Sequence, residues 1–343
     1  MMRENMSFKN YLHLALITLI MFIGNSFAQD LSKYPTKPIR LIVGFSPGGA
    51  ADAVGRELAA ALSTRLNQTV VVENRAGANG NIAAETVARA LPDGYVLYFP
   101  SIGHAVNVSL YKKLNYDPIK DFTPIGGVFL APNMLVVPMS SPYKNIAELV
   151  SAAKANPGKL TFASSGNGTS VHLSAELFLR MAQISLVHIP YKGTGSAMPD
   201  LISGQVDMSF PNLPSALVQV KANNLRALGI TTASRSAAAP NIPTIAESGL
   251  VGYDMATWYG LIGPANLPVV IRNRLNQELQ SVLADPKFKD KLISQGADPM
   301  PGSAEQFGQF LKNEYLGGIK LLPKLVSCLS NEVICIVLLM PDW

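Results

Sequence analysis

The chain has 343 residues, of which 48% are hydrophobic, and its formal net charge is +5 at pH 7. This length and composition predict a globular protein with a sizeable core and, as a first expectation, two domains. The lysines and arginines are scattered, which argues against a nucleic-acid-binding surface, and two cysteines are too few for a disulfide framework.

Residues 1–28 have the pattern of a secretory signal peptide. Arg3 and Lys9 precede an apolar run over residues 11–23, and the segment ends in small residues at Ala28. The apolar run is shorter than the roughly 20 residues that a membrane span needs. We therefore expect cleavage after Ala28 and export of the mature protein, with a retained N-terminal anchor helix as the alternative.

From residue 39 the chain alternates apolar strands, small-residue loops and amphipathic helices, and a weaker copy of the same order begins near residue 160. This alternation predicts an α/β fold with mostly parallel sheets flanked by helices. The predicted strands are 39–43, 69–73, 95–99, 128–137, 160–163, 186–189 and 205–210, and the predicted helices are 52–66, 81–90, 170–181, 196–203, 268–292 and 304–316. The segment 255–262 follows a proline-containing cluster and is where the chain is expected to return to the first domain.

The order of the two copies predicts two lobes joined by two crossings. We expect a discontinuous first lobe of residues 29–131 and 255–343, and a second lobe of residues 132–254. From about residue 315 the sequence is atypical, because two glycines and Pro323 should end the last helix before an unusually apolar tail. An altered C-terminus is the hypothesis for this tail.

The loop Gly44-Phe-Ser-Pro-Gly-Gly-Ala50 stands between the first strand and the first helix. Helix N-termini present unpaired backbone N–H groups and a partial positive charge, so they hold an anion without lysine or arginine. Gly48 and Gly49 allow the close approach of a ligand, Pro47 stiffens the turn and Ser46 adds a hydroxyl. We interpret Asp52 as the N-cap of the helix, with ligand contact as the alternative.

The loop Ser164-Ser-Gly-Asn-Gly-Thr-Ser170 has the same design in the second copy. Its hydroxyl and amide donors favour a carboxylate or a phosphate. Neither loop matches a dinucleotide fingerprint or a phosphate-binding loop with its lysine, so we expect no nucleotide. An ordinary capped turn is the alternative for each loop.

Catalytic signatures are weak in this sequence, which lacks H-E-x-x-H and paired cysteine ligands. His104 follows a strand and is interpreted either as a cleft residue or as a packing residue, and His172 is left equally open. Tyr191 and Asp207 also fall near strand ends, where each could meet a ligand. For Asp207, hydrogen bonding to backbone amides is an equal alternative.

Five segments together resemble the periplasmic substrate-binding proteins of tripartite tricarboxylate transporters, the Bug family, over residues 34–311. The segments are YPTKPIRLIVGFSPGGAAD, VVENRAGANGNIAAETVARALPDGY, SSGNGTSVHLSAELF, VHIPYKGTGSAMPDLISGQVDMSF and NIPTIAESGLVGYDMATWYGLIGPA. The resemblance implies a Venus flytrap of two α/β lobes, no cofactor and a carboxylate held between the two loops, with water molecules bridging on the first-lobe side.

Carried onto this sequence, the resemblance implies a set of ligand-binding positions in the two loops and on the cleft wall. These positions are Phe45, Ser46, Pro47, Gly48, Gly49, Ala50, Ser164, Ser165, Gly168, Thr169 and Ser170 in the loops, and Ser101, His104, Tyr191 and Asp207 on the wall.

The first interpretation is a monomeric, non-catalytic periplasmic receptor that delivers a small carboxylate to inner-membrane permease subunits. A co-receptor that docks on a sensor kinase is one alternative. An exported enzyme that uses Asp207 or His104 as acid or base is another, although the sequence carries no nucleophile, base and orienting group in one pattern.

Overall fold

The computed structural model describes residues 33–326, with side chains described as far as residue 316. The predicted signal peptide, both cysteines and the apolar segment from Val333 lie outside the described residues.

Strands and helices alternate along most of the described chain, as the hydrophobic pattern predicts. The strands are β1 Ile39–Val43, β2 Val70–Asn74, β3 Val96–Phe99, β4 Phe122–Pro132, β5 Met134–Pro138, β6 Thr161–Ser164, β7 Val187–Pro190, β8 Met208–Ser209, β9 Leu225–Ile230, β10 Ala256–Pro264 and β11 Asp298–Pro299. The helices are α1 Ala50–Leu66, α2 Asn81–Ala88, α3 Ile102–Leu110, α4 Ile146–Ala155, α5 Ser170–Ala182, α6 Thr194–Ser203, α7 Leu213–Lys221, α8 Val269–Ala284, α9 Pro286–Ser294 and α10 Ala304–Val326.

The strands form two sheets, and each sheet with its helices is called a lobe below. The first sheet has the order β11-β4-β10-β3-β1-β2, and the second has the order β7-β6-β8-β5-β9. β1 pairs in parallel with β2 and β3, and β6 pairs in parallel with β7 and β8. Each remaining pairing is antiparallel.

The two sheets are therefore mixed, and the expectation of mostly parallel sheets is wrong in this detail. The reason is the crossing strands. The predicted strand 128–137 is two strands, β4 in the first sheet and β5 in the second, with Asn133 between them. The chain enters the second lobe on β5 and returns to the first lobe on β10, and these two strands run antiparallel to β8 and β3.

Both faces of each sheet are buried, because alternate side chains of one strand enter different cores. Leu41 and Val43 of β1 enter one core of the first lobe, whereas Ile42 enters the core on the other face. In the second lobe, Leu135 of β5 enters one core and Val136 enters the core on the other face.

The two crossings between the lobes contact each other. The backbone N–H of Asn133 donates to Oγ1 of Thr231 at 2.7 Å, and that hydroxyl lies 2.7 Å from the carbonyl oxygen of Met255. Thr231 is fully buried. The two connections therefore form one hydrogen-bonded junction between the lobes.

The predicted helix 268–292 is interrupted, so this expectation is corrected. α8 ends at Ala284 and α9 begins at Pro286. Pro286 supplies no N–H and disfavours helical geometry in the residue before it. Asp285 instead caps α9 by accepting a hydrogen bond from the N–H of Phe288 at 3.1 Å.

The last helix continues beyond the predicted end near residue 316. α10 runs through Gly317, Gly318 and Pro323 to Val326. Tyr315 is buried and its hydroxyl donates to the carbonyl oxygen of Pro118 at 2.6 Å. The helix therefore continues through all three residues, and the expected helix break is wrong.

Candidate functional site

A narrow cavity lies between the lobes, where the loops that follow β1, β3 and β6 meet. About 20 Å³ is open to the centre of a water-sized group, which is room for a group of only a few heavy atoms. The lining residues are Phe45, Gly49, Ala50, Ala51, Ser101, Ser165, Thr169, Ser170, Val171, Thr194, Asn212 and Tyr259.

Five helices begin at this cavity. Gly49 precedes α1, Ser101 precedes α3 and Thr169 precedes α5, while Thr194 opens α6 and Asn212 precedes α7. Each N-terminus carries roughly half a positive charge and unpaired N–H groups. The wall has no acidic or basic side chain, so these N-termini give the cavity a positive potential without a formal cation.

The first loop is held in place by Asp52, which lies within α1 and is not its N-cap. Gly49 precedes the helix, which corrects the capping prediction. Oδ2 of Asp52 accepts the N–H of Gly48 at 3.1 Å, and Oδ1 accepts Nδ2 of Asn74 at 2.9 Å. Burial acts to raise the pKa of Asp52, but hydrogen bonds from Arg56 and Gly48 outweigh it and the pKa is lowered.

The second loop is shaped by two stacked histidines. Nδ1 of His172 accepts the N–H of Gly168 at 3.1 Å, and Nε2 of His188 lies 2.6 Å from Oγ of Ser164. The two rings stack with centroids 4.3 Å apart. Burial, with a smaller contribution from His172, lowers the pKa of His188 to about 4. Gly166 and Gly168 have φ of +119° and +77°, which glycine adopts at little cost.

Asn212 joins the cavity wall to both lobes. The hydroxyl of Tyr259 donates to Oδ1 of Asn212 at 2.8 Å, and Nδ2 of Asn212 lies 3.1 Å from Oγ of Ser170 and 2.7 Å from Oδ1 of Asn133. Beside it, Oγ of Ser165 and Oγ1 of Thr194 are 2.8 Å apart. Hydroxyl and amide groups thus line the inner end of the cavity.

A wider chamber of 190 Å³ lies on the other side of Phe45 and Ser165, which line both spaces. It has no acidic residue, and Lys192 is its one basic residue. The lining residues are Gly44, Phe45, Gly77, Ala78, Asn79, Tyr111, Ser165, Gly166, Asn167, Pro190, Tyr191 and Lys192.

The structure places seven of the predicted site residues on the inner cavity: Phe45, Gly49, Ala50, Ser101, Ser165, Thr169 and Ser170. Ser46, Pro47 and Gly48 lie instead against the turn before α6 across the cleft. Ser164 and Gly168 hold the shape of the second loop. Tyr191 lines the outer chamber, and its hydroxyl donates to Asp200 at 2.6 Å.

His104 is not brought to the cavity, so its assignment to the cleft wall is corrected. Its side chain is 1% exposed and packs among the rings of Tyr98, Tyr116 and Phe122. Nε2 donates to the carbonyl oxygen of Pro118 at 3.2 Å. Burial lowers its pKa to about 4. His104 is therefore a neutral core residue.

Asp207 is likewise placed away from the inner cavity. Its Oδ2 accepts the N–H of Thr161 at 2.7 Å and the hydroxyl of the same residue at 2.8 Å. Thr161 begins β6, whereas the second loop follows the last residue of that strand. Asp207 therefore fixes the opposite end of β6, in the backbone-bonding role left open as its alternative.

Three polar lining residues were not predicted: Thr194, Asn212 and Tyr259. Asn212 stands just before Leu213-Pro214, and asparagine followed by proline in the first helical turn is a recognisable start signal. Tyr259 lies inside a strand and gives no local signal.

Within residues 33–326, no cluster of three histidine, cysteine, aspartate or glutamate side chains is placed to bind a metal ion. The same residues include no helix of the length and apolar character needed to cross a bilayer.

Comparison with known proteins gives concordant matches. A family model described as the tripartite tricarboxylate transporter family receptor matches residues 54–322. A protein from the tcbD-tcbE intergenic region of Pseudomonas sp. strain P51 is 38% identical over 302 residues, which are 88% of this chain and 90% of the relative.

Two solved structures have a TM-score of 0.82 and 35% identity with this chain. One is the periplasmic binding protein BugD, with 85% of this chain and 98% of BugD covered. The other is R. palustris Rpa4515 with adipate, with 86% and 97% covered. The fold is thus the two-lobed α/β fold of periplasmic binding proteins, and the chain belongs to the tripartite tricarboxylate transporter receptor family, which includes the Bug proteins.

Proposed function

We propose that the protein is a periplasmic receptor that captures a small carboxylate between its lobes and delivers it to the permease of a tripartite tricarboxylate-type transporter. The proposal includes export with cleavage after Ala28. It also includes lobe boundaries at residues 29–131 with 255–343, and 132–254.

One observation carries the proposal: five helix N-termini converge on a cavity whose wall has no charged side chain. A carboxylate fits such a site because it is small, planar and rich in acceptors, and the site offers backbone N–H and hydroxyl donors. A cationic ligand would meet the positive ends of the helix dipoles without a carboxylate to pair with.

The sizes of the two spaces suggest how a ligand is oriented. The inner cavity has room for little more than an acid head group, so the body of any larger solute must extend past Phe45 and Ser165 into the outer chamber. The inner cavity would then recognise the carboxylate, and the chamber would distinguish one carboxylate from another. The related structure with adipate supports this class of ligand.

The geometry favours a receptor over an enzyme. Ser165 and Ser170 are the serine hydroxyls of the second loop on the cavity wall, and they lie next to Thr194 and Asn212, neither of which is a base. The imidazole nearest along the chain, His172, uses Nδ1 to accept the N–H of Gly168. A nucleophile and a general base are therefore not paired among the described cavity residues.

The deciding experiment is a thermal-shift and calorimetry screen with the mature protein. The panel pairs adipate, malate and citrate with their amides and methyl esters. A ligand at 100 times its dissociation constant adds about 2.7 kcal/mol of stability when it binds only the folded state. We expect at least one acid to raise the melting temperature and its neutral derivatives to lose the shift.

Two outcomes would contradict the proposal. Equal shifts with acid and amide would show that the carboxylate is not recognised, and chemical conversion of a bound acid would indicate an enzyme. Transport itself is tested by uptake of the identified acid in cells with and without the receptor gene.

A further inference from the structure

A contact between the lobes is made mostly by small residues. The contact consists of Ser46–Gly48 of the first loop and the turn Lys192–Ser196 that opens α6, and we call it the clasp. The backbone N–H of Ser46 donates to the carbonyl oxygen of Lys192 at 3.2 Å, and Oγ of Ser46 lies 3.5 Å from Oγ of Ser196.

Gly195 is the tightest point of the clasp. A Cβ atom built on it would lie 1.8 Å from the carbonyl oxygen of Pro47, and its three nearest atoms all belong to Pro47 and Gly48 of the other lobe. Its φ lies outside the positive range that requires glycine, in contrast to Gly193 at +153°. The backbone of its own lobe therefore accepts a side chain here, and the opposite lobe alone excludes it.

The carbonyl oxygen of Pro47, which Gly195 faces, has little freedom to move. It belongs to the backbone of the first loop, where Asp52 holds the N–H of Gly48 and Asn74 holds the carbonyl oxygen of Phe45 at 3.1 Å. Relief of the overlap to 3.0 Å, the closest approach that real Cβ atoms show, would need more than 1 Å of separation between the lobes.

We propose that Gly195 is a positioning residue for closure, because its missing side chain lets the two halves of the clasp meet. Any side chain at this position holds the lobes apart while each lobe stays folded. The proposal deepens the proposed function, since it rests on capture of a ligand by closure of the cleft. The closed geometry is then determined by the clasp as well as by the contacts with the ligand.

The test traps the clasp with a disulfide. Ser46→Cys and Ser196→Cys are introduced together with Cys328→Ser and Cys335→Ser, because a disulfide forms only when the two Cβ atoms come within about 4.5 Å. Oxidation rates are compared with and without Gly195→Ala. We expect Gly195→Ala to slow crosslinking at least about tenfold and to enlarge the radius of gyration in solution scattering.

Gly308→Ala is the matched control. It places the same methyl group in α10, where the added Cβ would lie 3.4 Å from Pro124, an ordinary contact. Gly308→Ala should leave the crosslinking rate unchanged. Equal rates for the Gly195→Ala and Gly195 proteins, with folding verified by circular dichroism, would overturn the proposal.

Two further measurements keep the result interpretable. If Gly195→Ala does not fold, the pair Ser46→Cys and Ser196→Cys is compared with Ser46→Cys and Ser203→Cys, whose second cysteine lies at the far end of α6. Equal crosslinking of the two pairs would then overturn the clasp. Binding of adipate, malate and citrate is measured separately: crosslinking without binding would contradict the proposed function alone, and binding with unchanged crosslinking in Gly195→Ala would contradict the clasp alone.

Discussion

The hydroxyl of Tyr259, in the first sheet, donates a 2.8 Å hydrogen bond to Oδ1 of Asn212, which precedes α7 in the second lobe. Oδ1 of Asn212 thus faces Tyr259, and Nδ2 faces Ser170 and Asn133. The wall of the cavity therefore carries an amide donor at the junction of the lobes.

Asn212→Asp should weaken carboxylate binding at pH 7. The change keeps the shape of the side chain but puts a negative charge on the cavity wall, where two like charges about 4 Å apart repel by about 4 kcal/mol at an effective dielectric constant of about 20. We expect at least a tenfold loss of affinity by calorimetry. Asn224→Asp, on the surface beside Gln219, is the control, and an equal loss there would contradict a local effect.

His172→Phe should loosen the second loop while it keeps the ring stacked on His188. The phenyl ring offers no acceptor to the N–H of Gly168, and an unsatisfied buried donor costs about 1–3 kcal/mol. We expect lower stability in chemical denaturation and weaker ligand binding. His172→Asn offers Oδ1 as a replacement acceptor and should restore part of both. No difference between the two variants would show that the Gly168 bond is unimportant.

Asp52→Asn should destabilise the protein more at neutral than at acid pH. The folded-state pKa of Asp52 is lowered, so its stabilisation is present above the ordinary pKa of about 3.9 and is lost as the pH falls through the folded value. We expect a loss of about 1–2 kcal/mol at pH 7, from weaker bonds to Gly48 and Arg56. Chemical denaturation at several pH values measures this loss of stability. A loss that does not depend on pH would contradict a role for the charge.

His104→Phe should remove part of the pH dependence of stability. His104 has a folded-state pKa of about 4 against an ordinary 6.5, so the unfolded chain binds more protons between these values and stability falls as the pH falls. The wild-type protein should lose about 3 kcal/mol relative to His104→Phe between pH 7 and pH 4. At pH 7 the phenyl ring should be tolerated, since the hydroxyl of Tyr315 still donates to Pro118. Parallel pH profiles for the two proteins would contradict this prediction.

The sequence predicts best those features that local periodicity determines. The strand Ile39–Val43 was predicted with its observed bounds, and the two small-residue loops were identified as helix entrances. Features that depend on distant contacts were not predictable in this way. His104 lies beside a loop in sequence, yet aromatic rings of β4, of α10 and of the loop before β4 take it into the core. Tyr259 reaches the cavity only because β10 returns to the first sheet.

Because helix N-termini line the cavity and no charged side chain does, closure without a ligand buries no unpaired ion. A buried lysine or arginine would make the empty, shut form costly, because an unpaired charge loses its water. That desolvation penalty is missing here, so it does not oppose closure of the ligand-free protein. If the protein delivers its ligand to a permease as proposed, a permease that recognised only the closed shape would also accept the ligand-free receptor. Selective delivery would then require the permease to sense the ligand as well.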